Sequence, residues 1–207
     1  MNSLFNAVSV GGNTLSSRVA MAPMTRSRAK PDGVPGDLSA EYYGQRAGVG
    51  LVITEGAQPS EDGQGYLATP GIYTDAHVAG WKPTIEAVHG CGARIIIQLM
   101  HAGRMSHPDN TPHHRRPVAP SAIAPGTGMF TATGMQDIPV PRVLTADEIG
   151  QTIADFRHAA RSRRARTGSR SMGRMLISSI SSSRRAPIRV PTTMAARSRI
   201  ALASPLR

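Results

Sequence analysis

The sequence predicts an α/β fold, the N-terminal portion of a (β/α)8 TIM barrel with about three strand–helix units, and three observations carry that expectation. Residues 18–24 (RVAMAPM), 49–55 (VGLVITE) and 93–101 (ARIIIQLMH) are nearly continuous apolar runs, as parallel strands covered on both faces are. Helical segments lie between and after them, giving a β-α-β-α-β-α series with right-handed crossovers. Three parallel strands alone leave two open edges, whereas the same series is at home as the first part of a barrel of about 250 residues or more.

Taken in order, Ser39 caps a helix over residues 41–47 that Gly48 ends. A second helix starts at Thr74 and runs toward His89, with Gly90 and Gly92 stopping it; Pro83 inside it predicts a kink or a delayed start. The third is the clearest. Thr145 and Glu148 make a capping box with Leu144 as its staple, and Ile149, Ile153, Phe156 and Ala160 follow at helical spacing. Residues 107–142 are Pro/Gly-rich and too long for an ordinary connection, so a functional loop or lid is expected there. The cluster His113, His114, Arg115 and Arg116 within it reads as a solvated loop rather than a metal site.

One cysteine excludes a disulfide framework and a multi-cysteine metal site, and Cys91, between two glycines at a helix end, reads as structural. No apolar run reaches the roughly 18–20 residues that span a bilayer. The opening MNSLFNAVSVGGN lacks the basic start and long apolar stretch of a secretory signal, so a cytoplasmic chain with no membrane partner is expected.

The net charge of +11 points at first to nucleic acid, but its distribution does not. Residues 161–207 hold twelve of the 24 basic residues, all arginine, and none of the 13 acidic ones, so they carry +12 while residues 1–160 carry −1. That tail has no aromatic residue, no lysine and ten serines, and beyond the short MLISSI stretch it lacks periodicity. An arginine-rich arm binding phosphates is one reading; a stretch never selected as protein, and therefore disordered, is the other. No specific nucleic-acid partner is expected. The domain boundary is placed at residue 160.

Five blocks then carry a resemblance. RVAMAPMTRSRA at 18–29, GLVITEGAQPS at 50–60, IIIQLMHAGR at 95–104, RPVAPSAI at 116–123 and LTADEIGQTIADFRHAA at 144–160 resemble, in order and spacing, the Old Yellow Enzyme family. The resemblance implies a barrel that binds FMN, is reduced by NADH or NADPH, and passes hydride to a small-molecule α,β-unsaturated carbonyl or related acceptor. It implies that the Thr25 hydroxyl donates to flavin O4, that Pro23 and Met24 line the ring, and that Gly56 lets the backbone approach it. Gln98 then offers its amide to the pyrimidine edge. His101 and Arg104 lie just past the third strand and are read equally as site or loop residues.

In the family, strand four ends in a His-x-x-Asn or His-x-x-His pair that holds the acceptor's carbonyl oxygen, with a Tyr proton donor two residues later. This chain has SMGRMLI at 171–177, so no catalytic residue is assigned. Reading the codons from Arg161 onward one nucleotide early permits the family's fourth strand, a His-x-x-Asn-x-Tyr motif and a TRTDDYGGSIENR signature. Methionine has one codon, so Met172 and Met194 each force glycine at the next shifted position, as the family has it. Met175 forces Ala or Val where Gly is commoner. The shifted His, Asn and Tyr correspond to Met172, Met175 and Ile177 as written. A frameshifted tail, from a lesion or a sequencing error, and a chain without turnover are therefore expected.

Overall fold

The computed structural model describes residues 3–166 and 176–179. Along the chain run β1 (Val8–Val10), β2 (Asn13–Leu15), β3 (Ala20–Met21), α1 (Ser39–Gly44), β4 (Leu51–Ala57), α2 (Asp75–Gly90) and β5 (Arg94–His101). After these come β6 (Val118–Ala119), β7 (Gly128–Thr131), β8 (Gly134–Asp137), β9 (Arg142–Val143), α3 (Ala146–Arg166) and β10 (Leu176–Ser179). Four strands form one parallel sheet in the order β10-β5-β4-β3, of which β5-β4-β3 is the barrel-like succession of neighbours expected from the sequence.

Several boundaries differ from expectation, each for a local reason. The first strand shortens to Ala20–Met21, paired with Leu51 and Val52, because Pro23 has no N–H to continue the ladder. Ser39 lies inside α1 rather than capping it. Its N–H bonds the Gly36 carbonyl at 2.9 Å, so the turn is already closed before Ser39. The helix ends at Gly44, and Arg46 and Ala47 continue in tight turns bonded to the carbonyls of Tyr43 and Gly44. In α2 the start is not delayed. Thr74 caps it, accepting from the His77 N–H at 3.1 Å, while His77 Nδ1 accepts from the Thr74 N–H at 3.4 Å; Pro83 sits on the exposed face in mid-helix.

The capping box of α3 forms as read: the Glu148 N–H donates to Thr145 Oγ1 at 3.3 Å and the Thr145 N–H to Glu148 Oε2 at 2.8 Å. This helix crosses the expected boundary at 160 and continues to Arg166, since arginine and alanine are good helix formers and no Gly or Pro intervenes. A fourth strand was not expected, yet Leu176–Ser179 pairs in parallel with β5, with Leu176 beside Gln98 and Ser179 beside His101. The expected disorder of the rest of the tail falls on residues outside those described.

The core lies between the sheet and its helices. Val52, Ile95, Ile97 and Leu99 pack against Tyr43, Ala47, Trp81, Ile85, Val88 and Ala159. The neighbours that alternate with them, Leu51, Ile53 and Ile96, face the other side of the sheet and are half-buried. Within α3, Ala159 and Phe156 reach the core while Ile153 remains exposed, so the helix leans on one side of its apolar stripe. Residues 107–142 are no bare loop, since they include a 3-10 turn at Pro108–Asn110 and the antiparallel β7–β8 hairpin.

Candidate functional site at the carboxyl ends of the strands

Three of the adjacent strands deliver the expected site residues to the same end of the sheet. Pro23, Met24 and Thr25 follow β3, with Pro23 half-buried and Met24 and Thr25 exposed. Gly56 of β4 and Gln98 of β5 are register partners, so these two stand side by side. Gln98 is half-buried, and its N–H donates to Thr54 Oγ1 at 3.2 Å.

That last bond marks an irregularity. The β4–β5 register shifts between Ile53 and Gly56, a bulge that places Thr54 and Glu55 opposite one step of β5. Thr54 Oγ1 fills the interrupted ladder, donating to the Glu55 carbonyl at 2.8 Å while accepting from Gln98. The bulge also leaves the Glu55 carboxylate buried, with 5% of the residue exposed. Its Oε2 accepts the Arg26 N–H at 2.8 Å, which joins the end of β4 to the residue after Thr25. The Glu55 N–H in turn donates to Tyr43 Oη at 2.9 Å.

Burial pushes Glu55 above the usual carboxylate range; the Arg26 and Ser27 amides, then the Arg26 and Arg28 guanidiniums, act against that shift. A raised folded-state value means that the protonated form favours the fold, and this contribution is lost as pH rises through that value. Burial likewise holds the Tyr43 hydroxyl far above its ordinary range, so it stays a neutral phenol.

Sequence reasoning missed Glu55, Thr54 and Tyr43. The available signal was an acidic side chain at the end of an otherwise apolar strand, and Glu55 was taken only as the strand's last residue.

Gly56 has a packing requirement of its own. A Cβ there would lie 2.7–2.9 Å from the Cε, Cβ and Sδ atoms of Met100. Gly56→Ala is therefore expected to lower stability by about 1–3 kcal/mol through overpacking, measured by urea unfolding.

His101 closes β5 and Arg104 lies in the loop after it. His101 is buried, its Nδ1 accepts the Gly103 N–H at 3.0 Å, and burial lowers its pKa, with Asp62 and Asp155 acting the other way. Arg104 is buried too and ties two loops together, donating to the Ile123 carbonyl at 2.8 Å and to Ser121 Oγ at 3.0 Å. Three of the four residues of the His113–Arg116 cluster are exposed, and two of the four have acidic neighbours. Arg115 lies 3.0 Å from Asp62 and 3.4 Å from Glu61, and His113 Nε2 lies 3.6 Å from Asp62. Among the described residues no helix is long and apolar enough to cross a membrane.

A parallel sheet backed by helices, with its polar residues gathered where the strands end, defines the class: part of a (β/α)8 barrel with a site at the usual end. The chain belongs to the NADH:flavin oxidoreductase / NADH oxidase family, whose model matches residues 3–169. FMN is the cofactor of this family, with NADH or NADPH as the reductant.

Among its relatives, 12-oxophytodienoate reductase 1 of Oryza sativa subsp. japonica is 41% identical over 162 residues, 76% of this chain and 40% of the relative. Chanoclavine-I aldehyde reductase of Penicillium roqueforti is 40% identical over 163 residues, 78% and 42% of the two chains. Morphinone reductase in complex with tetrahydroNAD superposes with a TM-score of 0.76 at 42% identity, covering 86% of this chain and 49% of that one. The old yellow enzyme homologue from Zymomonas mobilis gives 0.73 at 42% identity, covering 77% and 44%. The chain thus spans less than half the length of these relatives.

Proposed function

We propose that residues 1–160 are the flavin-facing part of an FMN-dependent NAD(P)H oxidoreductase acting on a small α,β-unsaturated carbonyl or related acceptor. The observation that supports this most directly is the pairing of Gly56 with Gln98, with the turn after Thr25 tied to β4 by the Arg26–Glu55 bond, in a chain matched by the flavin oxidoreductase family. When bound, FMN supplies a carrier that takes hydride from the nicotinamide and gives it to the activated alkene carbon.

The chain's own residues have distinct tasks in this reading. Thr25 donates its hydroxyl to the flavin carbonyl O4, favouring negative charge on the ring. Gln98, with one amide donor and one acceptor, orients the pyrimidine edge. Pro23 and Met24 cover apolar ring surface, and Met24, 44% exposed here, loses water on doing so. Gly56 brings bare backbone to the same edge. These groups fit the ring, while Arg104, the cation nearest the end of β5 in sequence, is committed to Ile123 and Ser121 and is given no role with the phosphate.

A second reading concerns turnover and rests on the tail. The written SMGRMLI lacks the family's His-x-x-Asn or His-x-x-His pair and its Tyr, and a shifted frame would place His, Asn and Tyr at positions 172, 175 and 177. Positions 172 and 175 lie outside the described residues; Ile177 lies in β10, beside Leu99. The written chain is therefore an inactive member that lacks the substrate pair and the proton donor. Purified as written, it is expected to carry less than one FMN per chain and to show no NADPH-dependent reduction of a model enone such as 2-cyclohexenone. Stoichiometric yellow absorbance together with turnover would overturn the second reading; no quenching of FMN fluorescence at any protein concentration would overturn the first.

A further inference from the structure

We propose that Glu55 is the positioning residue that holds Thr25 at the mouth of the sheet, acting through the backbone turn after it; the functional half of this assignment rests on the flavin reading above. The inference begins with an energetic oddity. A carboxylate is buried at the end of an apolar strand, although nearly all of its alternatives there would be cheaper to desolvate. Its hydrogen-bonded partner is no side chain. Oε2 accepts the main-chain N–H of Arg26 at 2.8 Å, twenty-nine residues away in sequence, and the Ser27 amide favours the charged form as well.

The segment so held needs holding. Ser27 has φ 52, in the left-handed region that a non-glycine residue adopts at a cost. A loop that leaves β3 after two paired residues has no ladder to fix Pro23, Met24 and Thr25. The Arg26 N–H belongs to the peptide unit formed with the Thr25 carbonyl, so the carboxylate fixes the orientation of the plane from which the Thr25 side chain departs.

The other end of the device is equally fixed. Glu55 lies in the bulge of β4, its own N–H bonded to the buried Tyr43 hydroxyl and its carbonyl to Thr54 Oγ1. One step further along the strand is Gly56, opposite Gln98. A single side chain therefore sets the position of the β3 loop relative to β4 and β5, the three places that would grip one flavin edge. An ion pair with Arg26 or Arg28 would leave the main chain free to swing; a bond to the amide does not.

The test compares the full written chain with Glu55→Ala and Glu55→Gln. Amide hydrogen exchange at residues 24–28 is read against α2 as an internal control, and FMN affinity is read by fluorescence quenching. Glu55→Ala is expected to speed exchange at 24–28 by about tenfold or more, the size of one lost hydrogen bond to a charged group, with α2 little changed. FMN affinity is expected to weaken by about fivefold or more in the same variant. Glu55→Gln, whose amide oxygen still accepts the Arg26 N–H, should fall between Ala and the parent in both readouts.

Unchanged exchange at 24–28 in Glu55→Ala overturns the proposal. So does a loosened turn with undiminished FMN affinity, or equal loosening of the turn and α2 with no rescue by Gln. If the parent chain binds no FMN, the flavin reading fails, and the exchange pattern alone then decides for or against the turn.

Discussion

Alanine at Trp81 is expected to lower stability by about 3–5 kcal/mol, a large share of the roughly 5–15 kcal/mol that holds an ordinary domain together. Trp81 is 1% exposed, packs beside Tyr43 with ring centroids 6.5 Å apart, and sits among Ile85, Val88 and the strand residues of the core. Its Nε1 also donates to the Gly71 carbonyl at 3.0 Å, so truncation creates a cavity and removes a buried hydrogen bond together. Trp81→Phe separates the two losses: it keeps most of the ring volume, gives up the N–H, and should lie well above alanine. Because Trp81 is the only tryptophan, unfolding has to be followed by far-UV circular dichroism in urea rather than by indole fluorescence.

Under the frameshift reading proposed above, a compensating base after residue 160 is expected to have the largest effect on function. A gene carrying the compensating base should give a protein that purifies with about one FMN per chain and reduces an enone with NADH or NADPH. The reason is chemical: polarising the carbonyl and supplying the proton are worth several powers of ten in rate, and the family's His/Asn pair and Tyr are absent from the written tail. The check is the flavin spectrum and the turnover of the two proteins side by side, together with the genomic bases across the codons for residues 156–172. A restored chain that remains colourless would show that the loss lies elsewhere.

Much of this was readable in advance, and the parts that were not share a cause. Continuous apolar runs located β4 and β5, because strands buried on both faces leave a plain compositional mark. The Thr145/Glu148 box located the start of α3 to the residue, since both partners lie within one turn of each other. Local patterns reveal local bonds. Ser39 misled because the closing bond of α1 came from Gly36, a backbone carbonyl with no side-chain signature. Glu55 was passed over because its partner is an amide twenty-nine residues distant, and no spacing rule connects an acid to another segment's main chain. The β4 bulge is likewise a property of two strands in register, and neither strand shows it alone. At the site, the motifs indicated which residues to examine, while the arrangement of Gly56 against Met100 needed coordinates.

The pairing of Leu176–Ser179 with β5 has a wider meaning. Ladder bonds are made by groups that every residue but proline carries, so an edge strand pairs with a short neighbour with little regard to its side chains. Side chains have no such tolerance, for an isoleucine in the slot of a phenol transfers no proton. Shape is thus the less demanding of the two properties: backbone pairing is met by almost any sequence, whereas chemistry needs particular side chains at particular places.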